Sequence, residues 1–321
     1  MAQLSTVLQP FWMRNLNAIG ERQDRTVKMW IADGALTFDH MSPSGAWVFN
    51  APDVSALMRG VACDVNRTAA AAFESVAGIP SSTELPRSTA WSLIRLYYAA
   101  FFAAHSLMRV HGIAVLQLER SQVSVLNGAM RLVGHATSLP EGLVSMTVDQ
   151  GNRTFELASL TKGSHIDTWS IFAAKIKELS DAATTSGLGS QVQRQEAIEV
   201  LGEISGIMST APAQKTSNWL SYMRNQLNYQ HTHGAWYPHE RSSRFRAELS
   251  EAIEGWKSQP SIELPKSAHT LVRFGVCCAA IVAWARETSL RVASRHPTGE
   301  SFLRYGALRV LDQCLNRPPP A

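Results

Sequence analysis

The stretch "STAWSLIRLYYAAFFAAHSLMRVHG", Ser88 to Gly112, decides how the chain is read. Trp91, Ile94, Tyr97, Tyr98, Phe101, Phe102, Leu107 and Met108 cover nearly every side of a helix that turns about 100° per residue. A helix apolar all round belongs inside a bundle, and its alanines let neighbouring helices approach closely. Gly112 supplies a stop, because glycine tolerates the left-handed turn that ends many helices. His105, within this helix, reads as a core histidine satisfied by its surroundings.

Composition agrees with such a core. The 321 residues are 45% hydrophobic and 17% charged, which excludes a disordered chain and needs neither disulfides nor a metal to fold. Cys63, Cys277, Cys278 and Cys314 show no CxxC or Cys/His zinc spacing and read as small buried hydrophobes in a reducing compartment. The first residues lack a basic-then-apolar leader pattern, and "LVRFGVCCAAIVAWA" is too short to span a bilayer. These features predict a cytoplasmic protein away from membranes. Net charge is +4, and the excess is uneven: residues 201–321 carry 14 Lys/Arg against 9 Asp/Glu. A local basic excess favours polyanions, RNA or DNA first.

Outward from Ser88, "TVKMWIADGALTFDH" and "GAWVFN" predict short strands near the N-terminus, and a helix starts at Pro52–Asp53. "LERSQVSVLNGAMRLVG" predicts a helix and residues 136–163 a hairpin. Further helices are expected over 165–184, 190–209, 214–231, 241–257, 267–294 and 299–315. The fold class is therefore mainly α, an antiparallel helical bundle with a small mixed N-terminal region and sheet confined to 20–50 and 140–160. Three parts follow: 1–86 mixed, 87–295 helical with an insertion near 136–163, and 296–321 a C-terminal helix and tail.

The chemistry lies in "NWLSYMRNQLNYQHTHG", Asn218 to Gly234. On a helix over 214–231, Arg224 and His231 share a face, because seven residues fall about 20° short of two turns. Asn228 lies on the same side and Asn225 one step round. Arg keeps its charge and grips phosphate oxygens with a fork of donors, while His moves protons near neutrality. There is no Gly-rich phosphate loop and no Asp/Glu cluster for magnesium. Phosphoryl chemistry without a metal points to RNA, whose 2′-hydroxyl can be the nucleophile. His231, His233 and His239 lack the carboxylate or thiolate that would make them a metal set.

"RNQLNYQH" resembles the R-x4–6-H motif of the HEPN superfamily, at its longest spacing, and "SLIRLYYAAFFAAHSLMRVHGI" resembles that superfamily's first core helix. The resemblance covers 87–295, and the two signals stand in family order. It implies a helical homodimer with its motifs facing each other in one composite site, and a metal-independent endoribonuclease with no cofactor. It implies a toxin or anti-phage defence effector, with an antitoxin or defence-system protein as further partner. By resemblance His231 is the general acid/base, Arg224 the phosphate-binding cation and Asn225 a positioning group. Asn228, Tyr229 and His233 are second-line RNA-binding candidates, and Arg241, Arg244 and Arg246 would follow an RNA backbone with Phe245 available for stacking. Two alternatives stand beside this: an inactive HEPN module paired with a nucleotidyltransferase, and a helical scaffold.

Overall fold

The computed structural model describes residues 4–79, 88–238, 242–264 and 268–315. Among these are eleven α-helices and one five-stranded sheet. In chain order they are α1 (Leu4–Leu8), α2 (Val27–Ala32), β1 (Thr37–Met41), β2 (Trp47–Asn50), α3 (Val54–Ala77), α4 (Ala90–Val110), β3 (Ile113–Leu118) and α5 (Arg120–Leu132). There follow β4 (Gly142–Asp149), β5 (Thr154–Ser159), α6 (Ser164–Ala183), α7 (Gln191–Met208), α8 (Trp219–Asn228), α9 (Arg246–Glu254), α10 (Thr270–Ser294) and α11 (Ala307–Leu315). The protein is mainly helical, as expected. No helix among the described residues is long and apolar enough to cross a membrane.

α4 is the central element. Its side chains pack against α3, α6, α8, α10 and β3. Tyr97 and seven of its alanines and leucines are fully buried, including Leu93, Leu96, Ala99, Ala100 and Ala103. It stops as its sequence suggests: Gly112 takes φ +79°, and its N–H reaches the Arg109 carbonyl at 3.1 Å. α3 begins where Asp53 accepts from the Ala56 N–H at 3.0 Å, and α7 begins with a Ser190/Gln193 capping box. Cys277 and Cys278 are buried thiols on α10, and burial pushes Cys277 up to about 12.

The strands pair antiparallel in the order β1-β2-β5-β4-β3. The hairpin of 136–163 is present as β4 and β5, but it is joined to the N-terminal strands and shares one apolar cluster with the helices. Two expectations are corrected. Sheet is not confined to 20–50 and 140–160, because Ile113–Leu118 forms the edge strand β3 on β4. Part of "TVKMWIADGALTFDH" is the helix α2: Thr26 accepts from the Met29 N–H, and the buried Val27, Trp30 and Ile31 have helical spacing.

The expected helix over 214–231 is also shorter, running only from Trp219 to Asn228. Its next carbonyls are already taken. The Trp236 indole N–H donates to the Leu227 carbonyl at 2.7 Å, and the Thr232 hydroxyl donates to the Gln226 carbonyl at 3.1 Å. Those are the acceptors that a continuing helix would offer to His231 and Gln230. The chain instead turns, with left-handed φ of 51° at His231 and 64° at His233.

His111 ties the end of α4 to the N-terminal segment by donating Nδ1–H to the Phe11 carbonyl at 3.0 Å. Its Nε2 is buried without a hydrogen-bond partner among the described residues, and burial pushes the imidazole down to about 4. The folded value lies below the unfolded one of about 6.5. On acidification the unfolded chain therefore takes the proton first, and stability is lost as pH falls from about 6.5 to about 4, by up to roughly 3 kcal/mol from this group. Urea midpoints measured across that range should fall, and the fall should be shallower in His111→Gln. An equal slope in the variant would remove His111 from the account.

Candidate functional site: a buried guanidinium in an aromatic recess

Arg224 is only 6% exposed. α8 carries it toward α4, where its guanidinium carbon lies 5.6 Å from the Tyr97 ring centre and 5.9 Å from that of Tyr98. A third ring, Tyr229, lies at 5.6 Å. Nη1 donates to Asn225 Oδ1 at 2.9 Å and to the Tyr229 hydroxyl at 3.4 Å. Nε is buried with no hydrogen-bond partner among the described residues. No described Asp or Glu forms an ion pair with this cation. Ring faces attract a guanidinium but do not neutralise it.

Arg109, a buried arginine on α4, shows the contrast. It faces Asp64 at 3.7 Å and donates to the His105 carbonyl at 3.0 Å. Arg109 is a paired, structural charge. Arg224 is buried with its charge unanswered, which is costly unless an anion completes the site.

Beneath Arg224 lies a group that sequence reasoning missed. The fully buried Tyr97 hydroxyl accepts from the Trp169 indole N–H at 2.9 Å and contacts His165 Nδ1 at 2.8 Å. Indole N–H can only donate, so the tyrosine proton is free to point at His165. With the tyrosine proton on that contact, the neutral imidazole carries its own on Nε2. Burial first, and then the Arg224 charge, push His165 down to about 4. Burial raises Tyr97 to about 12. Near neutrality the recess therefore holds the Arg224 cation, the neutral His165 imidazole and the un-ionised Tyr97 phenol, a set suited to binding an oxyanion. His165 sits at the start of α6, 59 residues before Arg224, and no local motif marks it.

The other expected residues divide. Asn225 and Tyr229 join Arg224 directly. Asn228 is half-buried at the end of α8 and is not among Arg224's hydrogen-bond partners. His231 is exposed and does not share a helical face with Arg224; its ring stacks on Trp236 at 5.1 Å and 22°. Trp236 meets Trp91 of α4 edge-on at 5.2 Å. Since Trp91 and Tyr98 are two turns apart on one face of α4, about 10 Å along the axis, His231 and Arg224 stand at successive levels beside that face.

His233 is half-buried, and burial and then the nearby His269 lower it. Arg244 lies over the Phe245 ring at 4.6 Å, and Phe245 stacks on His269 at 4.1 Å. That stack borders a groove lined by Glu248, Glu251, Glu254 and Glu263, so its surroundings are acidic. Arg246 is half-buried at the start of α9. Arg241 and His239 lie outside the described residues. Among the described ones, no three His, Cys, Asp or Glu side chains are placed to hold a metal ion.

The chain matches no family model, no curated protein and no solved structure.

A cation kept for a ligand should not support the fold. Arg224→Met keeps the length and removes the charge, so its denaturation midpoint should equal or exceed that of the unmodified protein, by up to a few kcal/mol. A loss above about 1 kcal/mol would show that the charge holds the recess together through its ring contacts.

Proposed function

We propose that this protein is a metal-independent endoribonuclease of the HEPN type, a helical bundle acting as a homodimer in a toxin or anti-phage defence role. One observation carries the reading: the buried, carboxylate-free guanidinium of Arg224 faces a neutral imidazole and rests on tyrosine rings. It is supported by the R-x6-H spacing of Arg224 and His231 and by the exposure of His231, which leaves that imidazole open to substrate or to a second copy.

In this mechanism Arg224 takes the scissile phosphate, and Asn225 holds its Nη1. His165, through Nε2–H, gives a further donor to the phosphate oxygens. His231 removes the proton of the RNA 2′-hydroxyl as that oxygen attacks phosphorus. The bond from phosphorus to the 5′-oxygen breaks, and an imidazolium supplied by the second copy gives the leaving oxygen its proton. Charge developing on the phosphorus oxygens is met by Arg224, where a fixed cation contributes most. The products are a 2′,3′-cyclic phosphate and a 5′-hydroxyl. Because the nucleophile belongs to the substrate, no metal-bound water is required.

Purified protein should cut RNA in excess EDTA and leave those end groups. A single 2′-deoxy sugar should block cutting at that position alone. His231→Ala should slow cleavage by about 10²- to 10⁴-fold. Arg224→Lys should be nearly as poor as Arg224→Met, since an ammonium cannot reproduce the planar fork. Equal cutting at the deoxy position would falsify the mechanism.

A further inference from the structure

α4 is buried almost everywhere, and the residues it leaves at the surface are unusual. Trp91 and Arg95 are exposed, and Tyr98, Phe102 and His105 are half-buried. Their spacings of four, three, four and three place them on one stripe, about 21 Å long. An outward helix stripe is ordinarily charged or polar. This one carries the rings of Trp91, Tyr98 and Phe102, one cation, Arg95, whose guanidinium donates to the Gly78 carbonyl of the α3 terminus, and His105, which burial holds well below the usual histidine range.

The upper end is rigid. Trp91 is 53% exposed and braced edge-on by Trp236, whose indole N–H is held by the Leu227 carbonyl. The Ala90 N–H donates to the Ala235 carbonyl at 3.2 Å, and the Tyr237 N–H donates to Ser88 Oγ at 2.8 Å, fastening the turn to the helix. At mid-stripe Tyr98 flanks Arg224. At the lower end Phe102 walls a recess of about 330 Å³ that also takes in Lys28, Arg67 and Arg109, with Asp64 its one carboxylate.

We propose that this stripe is a track for single-stranded RNA, with bases stacking on Trp91 and Phe102 while the backbone passes Arg95, Arg224 and Arg67. The proposal rests on the reading of Arg224 as the phosphate seat. Partly exposed rings flanked by the cations Arg95, Arg224 and Arg67 suit unpaired nucleotides because every base offers a flat surface and every linkage a negative charge. In a duplex the bases already stack on one another. A second copy of this chain fits less well, since a two-fold contact brings the same set of cations, Arg95 and Arg67, to both sides with no added carboxylate on the stripe.

The test is fluorescence anisotropy with a labelled 12-nucleotide 2′-O-methyl RNA, which can bind but cannot be cut, and with its duplex. The single strand should bind at least 10-fold tighter than the duplex. Trp91→Ala should weaken single-strand binding on the order of 10-fold, with an unchanged melting temperature, and Trp91→Phe should restore most of it. Arg67→Ala should weaken binding and lower its salt dependence. Equal affinity for duplex and single strand, or wild-type binding by both Trp91→Ala and Arg67→Ala, overturns the track. So does light scattering in which Trp91→Ala converts a dimer to a monomer while RNA binding is unaffected, since the stripe is then a contact between copies. Tight single-strand binding without any cutting of natural RNA would keep the track and remove the nuclease reading. Normal cutting by a Trp91→Ala variant with unaltered binding would do the reverse.

Discussion

The Tyr97 hydroxyl is the point on which the site depends. It sits within α4, accepts from Trp169 of α6 and faces His165 at the start of the same helix, while α8 lays Arg224 across its ring. One buried oxygen thus joins α4 to α6, beside the side chains that α8 contributes. Buried polar groups of this kind are stabilising only when every partner is in place. Around Tyr97 the partners are present. At Arg224, one step outward, they are not, and the difference marks where the fold's own requirements end.

The same logic separates the two buried arginines. Arg109 meets Asp64 and joins α3 to α4. Arg224 meets amide, phenol and ring faces, none of them an anion. An oxyanion at Arg224 would remove the desolvation penalty of the cation and relieve the repulsion that the cation exerts on a protonated His165. The exposed aromatic stripe on α4 then supplies the surroundings that a nucleotide, rather than a bare ion, would use.

Much of the helical frame was legible because it is local. The apolar run of α4, its Gly112 stop and the Asp53 cap are written in consecutive residues. So were the hairpin of β4 and β5 and the buried pair Cys277–Cys278. What was not legible depends on distant groups. The helix after Arg224 looked continuous because nothing in "NYQH" breaks it; its end is set by Trp236 and Thr232 claiming carbonyls from downstream. β3 was hidden because "IAVLQL" is a short apolar run next to a strong helix, and its partner β4 lies about thirty residues on. His165 carries no motif, and only the packing of α6 on α4 brings it to Arg224. Spacing pointed to Arg224 and His231, but the imidazole that feels the Arg224 charge came from elsewhere.

The most direct measurement of the central claim is the titration of His165 by histidine ring NMR, assigned with His165→Gln, in the absence and presence of a 3′-phosphorylated mononucleotide. Alone, His165 should stay neutral down to about 4, held there by burial and by Arg224. A phosphate seated on Arg224 should cancel that repulsion and add an acceptor for Nε2–H, so His165 should begin to take a proton well above that value. The shift should vanish in Arg224→Met. A nucleotide that binds while His165 titrates unchanged would show that the buried guanidinium is not the phosphate seat.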